Sequence, residues 1–269
     1  MREHAHPGFP LVCSAWTRFH RPELIAPDPL QVVREVQDPD EREMVAFLCA
    51  SLALGRVKSI IDTCRTVLAR LSPLTQTSMR GYDRIVHTLG SIRYRFFDEH
   101  DIAGLVYALG RTRALHGSLQ QAFVAGLRPD HEDVHEALSS FVTGIASVPQ
   151  APKNLLLGRP ERGSASKRLH LFLRWMVRHD EVDPGGWNKV SPSLLLYPID
   201  THMLYVSRAL GLLSVRTPSL SASRSLTRTM RLLDPLDPVR FDFCLTRPGI
   251  HPMLDRDSWM QDRIDSAHA

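Results

Sequence analysis

A lysine that sheds its ammonium proton is a nucleophile, and a buried-edge carboxylate can steady positive charge developing nearby. This chain offers a candidate for each role at the start of a helical pattern. The lysine is Lys167, within Arg162-Gly163-Ser164-Ala165-Ser166-Lys167-Arg168, where a short glycine- and serine-rich turn opens into the apolar spacing Leu169, Phe172, Leu173, Met176. Small residues let the backbone approach a second backbone or a phosphate. The first N–H groups of a helix are unpaired within it and can bind an anion. A cation in that turn opposes the helix dipole. Beside Arg162 and Arg168, or partly desolvated, the Lys167 ammonium would give up its proton more readily. The same position also suits a lysine that contacts phosphate, or an exposed lysine with no role.

The carboxylate is Asp200. The apolar approach Leu194 to Ile199, interrupted by Pro198, leads into Asp200-Thr201-His202. Met203, Leu204, Val206, Ser207 and Leu210 then follow at helical spacing up to Gly211, a C-cap residue. Asp200 occupies or adjoins the N-cap, where local N–H groups hold a carboxylate ionised. That suits an electrostatic catalyst and equally an ordinary capping residue. His202 falls on the side of Val206 and reads better as a near-core histidine than as a proton shuttle. Between the two candidates, Asp180-Glu181-Val182-Asp183-Pro184-Gly185-Gly186-Trp187 must turn at Pro-Gly-Gly. It lacks a complete calcium-loop pattern, so its acidic residues read as a solvated turn. Trp187 and Phe172 could stack on a nucleobase, but either can fill a core, and for Trp187 the core is the better reading.

The formal net charge of +4 is unevenly spread: between Arg159 and Arg231, twelve Lys/Arg stand against five Asp/Glu. Such an excess suits a polyanion (DNA or RNA) or a phosphate-bearing small molecule, with a solvated basic face as the plain alternative. Arg208, Arg216, Arg224, Arg228 and Arg231 are candidate phosphate contacts. Arg93-Tyr94-Arg95-Phe96 mixes positive and aromatic groups as nucleic-acid surfaces do, and also fits solvated arginines around a core tyrosine.

The elements that must position these residues are helical. Met44, Phe47, Leu48 and Leu52 predict a helix from Asp40 to Ala53, and Ile60, Ile61, Cys64 and Leu68 a second after Gly55. Further helices are expected at Cys13–Ile25, Tyr82–Leu89, Asp101–Leu109, Leu119–Leu127 and His131–Ile145. Pro149, Pro152 and Pro160 mark a loop-rich crossing. No alternating run predicts a substantial sheet. The expected fold is all-α, in two packed helical lobes near 1–150 and 151–269, with the N-terminal segment packing across both.

The 269 residues, 43% hydrophobic and 23% charged, have an ordinary globular composition. No run of 18 apolar residues suggests a membrane span. The N-terminus lacks the apolar core of a signal peptide, which makes a cytoplasmic location the default. Cys13, Cys49, Cys64 and Cys244 form no CxxC pair, and the histidines show no metal-ligand spacing, so no metal or cluster is expected. Cys49 and Cys64 read as small buried hydrophobes.

Taken together, these segments resemble the helix-hairpin-helix DNA glycosylase superfamily, which includes endonuclease III and 8-oxoguanine glycosylases. Pro198 to Val206 is similar to that family's apolar-Asp-Thr/Val-His helix start, and Arg162 to Leu173 to its hairpin and following helix. Glu43 to Gly55 looks like its early core helix. Asp237-Pro238-Val239-Arg240-Phe241-Asp242-Phe243-Cys244-Leu245 resembles a C-terminal signature of an uncharacterised bacterial family of this kind. The resemblance implies a glycosylase fold and excision of a damaged, possibly oxidised, base from DNA. Lys167 would then form a Schiff base, with AP lyase activity following, and Asp200 would be its catalytic aspartate. It further implies nucleic-acid contacts from Arg162, Gly163, Ser164, Ser166, Arg168, His202 and Arg208, and a base pocket that includes Phe172 and Trp187. The implied partner is DNA with a damaged base, bound by a monomer without a cofactor; RNA stays open. Two departures stand out. Ala165 replaces the second glycine of the hairpin, and Lys167 and Asp200 are 33 positions apart, a spacing most members shorten but an archaeal 8-oxoguanine branch shares. The endonuclease III iron–sulfur cysteines are absent. Two rival readings remain: a catalytically silent DNA- or RNA-binding protein on the same fold, and a helical scaffold whose basic surface binds protein or a small phosphate ligand, with Lys167 and Asp200 far apart or Lys167 fully exposed with no adjoining pocket.

Overall fold

A computed structural model describes residues 6–255, 259 and 260. Several of its helices begin where the sequence supplies a capping side chain. Asp38 accepts the Glu41 N–H ahead of Pro39, an N1 proline whose missing donor costs nothing there. Asp98 and Asp101 form a reciprocal capping box on the longest helix. The described residues form thirteen α-helices: α1 (Phe9–Phe19), α2 (Leu30–Arg34), α3 (Pro39–Leu52), α4 (Val57–Leu71), α5 (Leu74–Thr77), α6 (Tyr82–Leu89), α7 (Glu99–His116), α8 (Leu119–Val124), α9 (His135–Ala146), α10 (Lys167–Val177), α11 (Thr201–Ala209), α12 (Leu220–Arg231) and α13 (Asp242–Ile250). Strand-type pairing is confined, among the described residues, to isolated bridges such as Tyr94 with Phe97.

The fold is all-α with two helix clusters. In the first, α3 is the spine: every residue from Glu43 to Leu52 is buried. It packs against α2, α4, α5, α7, α8 and, most extensively, α10. In the second, α13 packs on α1 and α11, and α12 closes on the short turn Pro238–Phe241. The N-terminal helix α1 thus sits with the C-terminal elements, and α10 faces both clusters.

The inner side of α10 shows why. Phe172 is fully buried and meets Phe47 and Trp187, each at 5.0 Å between ring centroids, with Phe141 stacked at 6.5 Å. Trp187 is only 3% exposed, and its indole N–H donates to Glu43 Oε2 at 3.0 Å. Glu43 also accepts the Leu119 and Gln120 N–H groups at 2.7 and 3.1 Å at the start of α8. Burial nevertheless pushes its carboxyl above the ordinary range. The expectation of a base pocket lined by Phe172 and Trp187 is therefore corrected: both are core aromatics with no face toward a cavity that takes a ligand.

The acidic turn is corrected too. Asp183 is completely buried and bridges Arg174 and Arg178, while Arg174 also binds Asp242 and Arg178 binds Asp180 and Asp237. Pro-Gly-Gly folds the turn back so that the Trp187 N–H reaches the Met176 carbonyl at 2.8 Å and Arg34 reaches the Val182 carbonyl at 2.7 Å. The 180–187 segment is a clasp between the two clusters. No helix among the described residues is long and apolar enough to cross a membrane.

Candidate active site

The turn before α10 is built from left-handed backbone. Gly163 has φ 69°, the region that favours glycine, and a Cβ there would meet no other atom. Ser166, the N-cap, also lies in that region at φ 42°, its hydroxyl 3.0 Å from that of Ser164. Ala165 is buried beneath them. This kink makes Lys167 the first residue of α10 and aims it at the start of α11.

Asp200 is the N-cap of α11, as its position in the sequence predicts. Its Oδ1 accepts the Met203 N–H at 2.8 Å, and its Oδ2 accepts from Lys167 Nζ at 2.6 Å. One carboxylate oxygen caps a helix while the other holds the lysine. The lysine side chain is 35% exposed and the aspartate 19%. Burial raises the Asp200 carboxyl, but the Lys167 charge and hydrogen bond and the Met203 N–H outweigh it, leaving it below the ordinary range. The pair that 33 residues of chain separate is in direct contact.

Lys167 stands between two cavities. The larger, about 720 Å³, is lined by Lys167, Arg162, Ser164, Ser166 and, from the other side, Leu54 and Asn154. Its volume lies within the ~300–1,000 Å³ common for small-ligand sites. The smaller, about 50 Å³, is shared by Lys167, Asp200, Asp242 and Arg174. Asp200 faces the small cavity, so the lysine is the group that links the pair to the open one.

The remaining predicted contacts divide. Arg162 and Gly163 are exposed at the turn, and Arg208 is exposed in the last turn of α11. His202 is exposed, not near-core: Val206 is buried, but burial along α11 begins only at Met203 and Leu204, after His202. Arg168 is corrected. Its guanidinium donates to the Ser51 and Leu155 carbonyls, pinning the end of α3 to the loop before α10, and burial lowers its proton affinity. Periodicity gave no sign of Leu54 or Asn154, which reach the cavity from distant segments. The Tyr94–Phe97 turn also meets this side: the Tyr94 hydroxyl donates to the Leu54 carbonyl at 2.6 Å. At its tip Arg95 adopts φ 55°, and Phe96 is 72% exposed beneath the Arg95 guanidinium.

A family model described as protein of unknown function (DUF2400) matches residues 28–251. The chain belongs to this family. The matched span of this DUF2400 chain contains Lys167, Asp200, Asp242 and every residue lining the two cavities. Searches of the curated proteins and of the solved structures find no match to it.

The basic excess of the DUF2400 chain is smaller at its surface than in its sequence. Of the twelve Lys/Arg between Arg159 and Arg231, Lys167, Arg174, Arg178 and Arg224 pair with carboxylates. Arg168 and Arg231 bind backbone carbonyls. Arg159, Arg162, Lys189, Arg208, Arg216 and Arg228 are exposed. No group of three or more His, Cys, Asp and Glu among the described residues is arranged to hold a metal ion. Cys49, Cys64 and Cys244 are buried and Cys13 is exposed, all as free thiols.

Proposed function

We propose that this protein is a DNA base-excision glycosylase in which Lys167 is the nucleophile and Asp200 its electrostatic partner. The observation that carries the reading is the 2.6 Å contact between Lys167 Nζ and Asp200 Oδ2 at the wall of a cavity of about 720 Å³. A base inside a duplex hides its anomeric carbon, so the nucleotide must be extruded first. The neutral Nζ then bonds to that carbon, and the base departs with the electrons of the glycosidic bond. Asp200, held ionised, stabilises the positive charge that gathers on the sugar. The bond from the anomeric carbon to the ring oxygen then breaks as an Nζ proton passes to that oxygen, and the Schiff base so formed opens the way to β-elimination and strand cleavage. Exposed Arg162 and Arg208 and the Arg95–Phe96 tip supply phosphate and stacking contacts.

One observation favours a second reading. The ion pair with Asp200 that positions Lys167 equally suits a lysine that binds phosphate in a catalytically silent nucleic-acid-binding protein. The scaffold reading, which expected the two residues apart or a fully exposed Lys167 with no adjoining pocket, is less well supported by the contact and the cavity beside it. Hydride trapping with DNA carrying oxidised, alkylated or abasic sites separates the first two: a glycosylase of this kind gives a covalent adduct lost in Lys167→Ala, and a silent binder gives salt-dependent binding with no adduct.

A further inference from the structure

We infer that Asp242 is the group that receives the Nζ proton of Lys167, across the small cavity they share with Asp200. The inference rests on the glycosylase reading. A lysine held by an aspartate must lose a proton before it can attack, and Asp200 is the poorer acceptor: the Lys167 charge and the Met203 N–H hold it ionised, and its role beside the reacting sugar requires that it stay so. Asp242 is differently placed. It is the first residue of α13, buried, with Oδ2 bound by Arg174 and Oδ1 buried without a hydrogen-bond partner. A buried acceptor left unpaired is costly, and such groups call for an explanation. The cavity it lines, about 50 Å³, has room for on the order of one or two water molecules. That is a proton path, and too small for a base.

The surrounding charges make the carboxyl receptive. Arg174 is shared with Asp183, so it keeps a carboxylate partner when Asp242 is protonated. In the clasp as a whole, Arg174 and Arg178 face four carboxyls: Asp180, Asp183, Asp237 and Asp242. Burial, against the Arg174 charge, pushes Asp242 up to about 6. The other groups facing it are Lys167 on α10, Asp200 at the start of α11, Asp28 before α2 and Arg247 on α13. Tyr197 and Cys244 lie within electrostatic reach and are held neutral by burial. Asp242 also belongs to the Asp237–Leu245 segment, to which the glycosylase resemblance assigns no role.

In the step proposed, an Nζ–H bond breaks and its proton forms an O–H bond on Asp242. The freed lone pair bonds to the anomeric carbon. At an abasic site the sugar's carbonyl oxygen takes a second Nζ proton and the proton returned by Asp242 and leaves as water, giving the protonated Schiff base; at an intact nucleotide the base leaves with the bonding pair. Asp242 acts through Lys167 and is a positioning residue, so its signature is a pH profile.

The test is single-turnover trapping by cyanoborohydride on duplex DNA with one abasic site, measured from pH 5 to pH 9. The wild type should show an acid limb centred near pH 6, because Asp242 must be ionised to accept the proton. Asp242→Asn keeps an acceptor for Arg174 and leaves three carboxylates in the clasp. It should still bind the abasic duplex, lose the acid limb, and trap roughly 10²-fold more slowly at pH 7.5. His202→Gln should retain the limb. A flat wild-type profile overturns the inference without any variant. So does an Asp242→Asn protein that traps at the wild-type rate or keeps the limb, or a limb that vanishes in His202→Gln; those results leave the glycosylase reading standing. No trapping by the wild type at any pH overturns both.

Discussion

The two ends of α10 carry the same kind of chemistry in opposite settings. Lys167, Arg174 and Arg178 follow one another along one side of the helix at intervals of seven and four. At the C-terminal end each arginine is almost wholly buried and has at least two carboxylate partners, which tie the 180–187 clasp, α10 and α13 together. At the N-terminal end the lysine has one carboxylate partner, retains partial exposure and borders open volume. Several partners fix a cation in place and consume its donors. A single partner positions the cation and leaves the rest of its surface for something else. The difference separates charges that hold this fold from charges that can act on a ligand, although in the sequence all three are simply basic residues near glycine or aspartate.

Substitutions at the two ends should therefore fail differently. The largest loss of stability is expected for Arg178→Ala, which leaves the Asp237 carboxylate without its guanidinium and takes one partner each from Asp183 and Asp180. Removing one side of a buried ionic cluster costs about 3–5 kcal/mol, and chemical denaturation would read it. A loss below ~1 kcal/mol would erase the distinction between the two ends. Asp200→Asn should do the reverse. Asparagine caps a helix nearly as well as aspartate, so stability should change by less than ~1 kcal/mol. Trapping should fall roughly 10²-fold as the charge beside the reacting carbon is lost.

The pH dependence of stability sharpens the same contrast. Asp200 and Asp180 are held below the ordinary carboxylate range by Lys167 and by His20 and Arg178, against burial. Their contribution is whole above about pH 4, the unfolded value, and is lost as pH falls through their folded values. Asp242 has the opposite sign. With a folded value of about 6, its contribution is present below about pH 4 and is lost as pH rises through 6. Relative to the wild type, Asp242→Asn should gain stability between pH 4.5 and pH 8, by on the order of 2–3 kcal/mol. Parallel melting curves across that range would contradict the assignment. The smallest effect on the fold is expected for Phe96→Ala: stability within ~0.5 kcal/mol for an exposed tip, with duplex binding weaker by roughly 1–3 kcal/mol if the ring stacks on a base. Unchanged binding at fixed salt would remove the tip from the interface.

Much of the scaffold was legible because local rules govern it. Tyr82–Leu89 is a helix over the predicted residues, the Asp40–Ala53 pattern is α3 to within a residue, and Asp200 caps α11 as its neighbours require. What could not be read was which long-range partner each polar or aromatic side chain meets. Phe172 follows the apolar spacing of α10, yet only the approach of Phe47, Phe141 and Trp187 decides that no ligand reaches it. Arg168 and Lys167 are adjacent in sequence, but one helical step of about 100° points the first at carbonyls of Ser51 and Leu155 and the second at Asp200. Asp183 read as a solvated acid because its two arginine partners lie behind it on α10. Asp242 lay within the Asp237–Leu245 signature but carried no sign of a chemical role, since what it faces is set by a cavity formed by four separate segments.

The most direct test of the account is the Lys167 adduct itself. The full-length protein is incubated with duplex DNA carrying a single abasic site, treated with cyanoborohydride and mapped by mass spectrometry. The account predicts a covalent DNA–protein species with the modification on Lys167, absent in Lys167→Ala and present in Lys189→Ala. No adduct, or one on another lysine that survives Lys167→Ala, would contradict it.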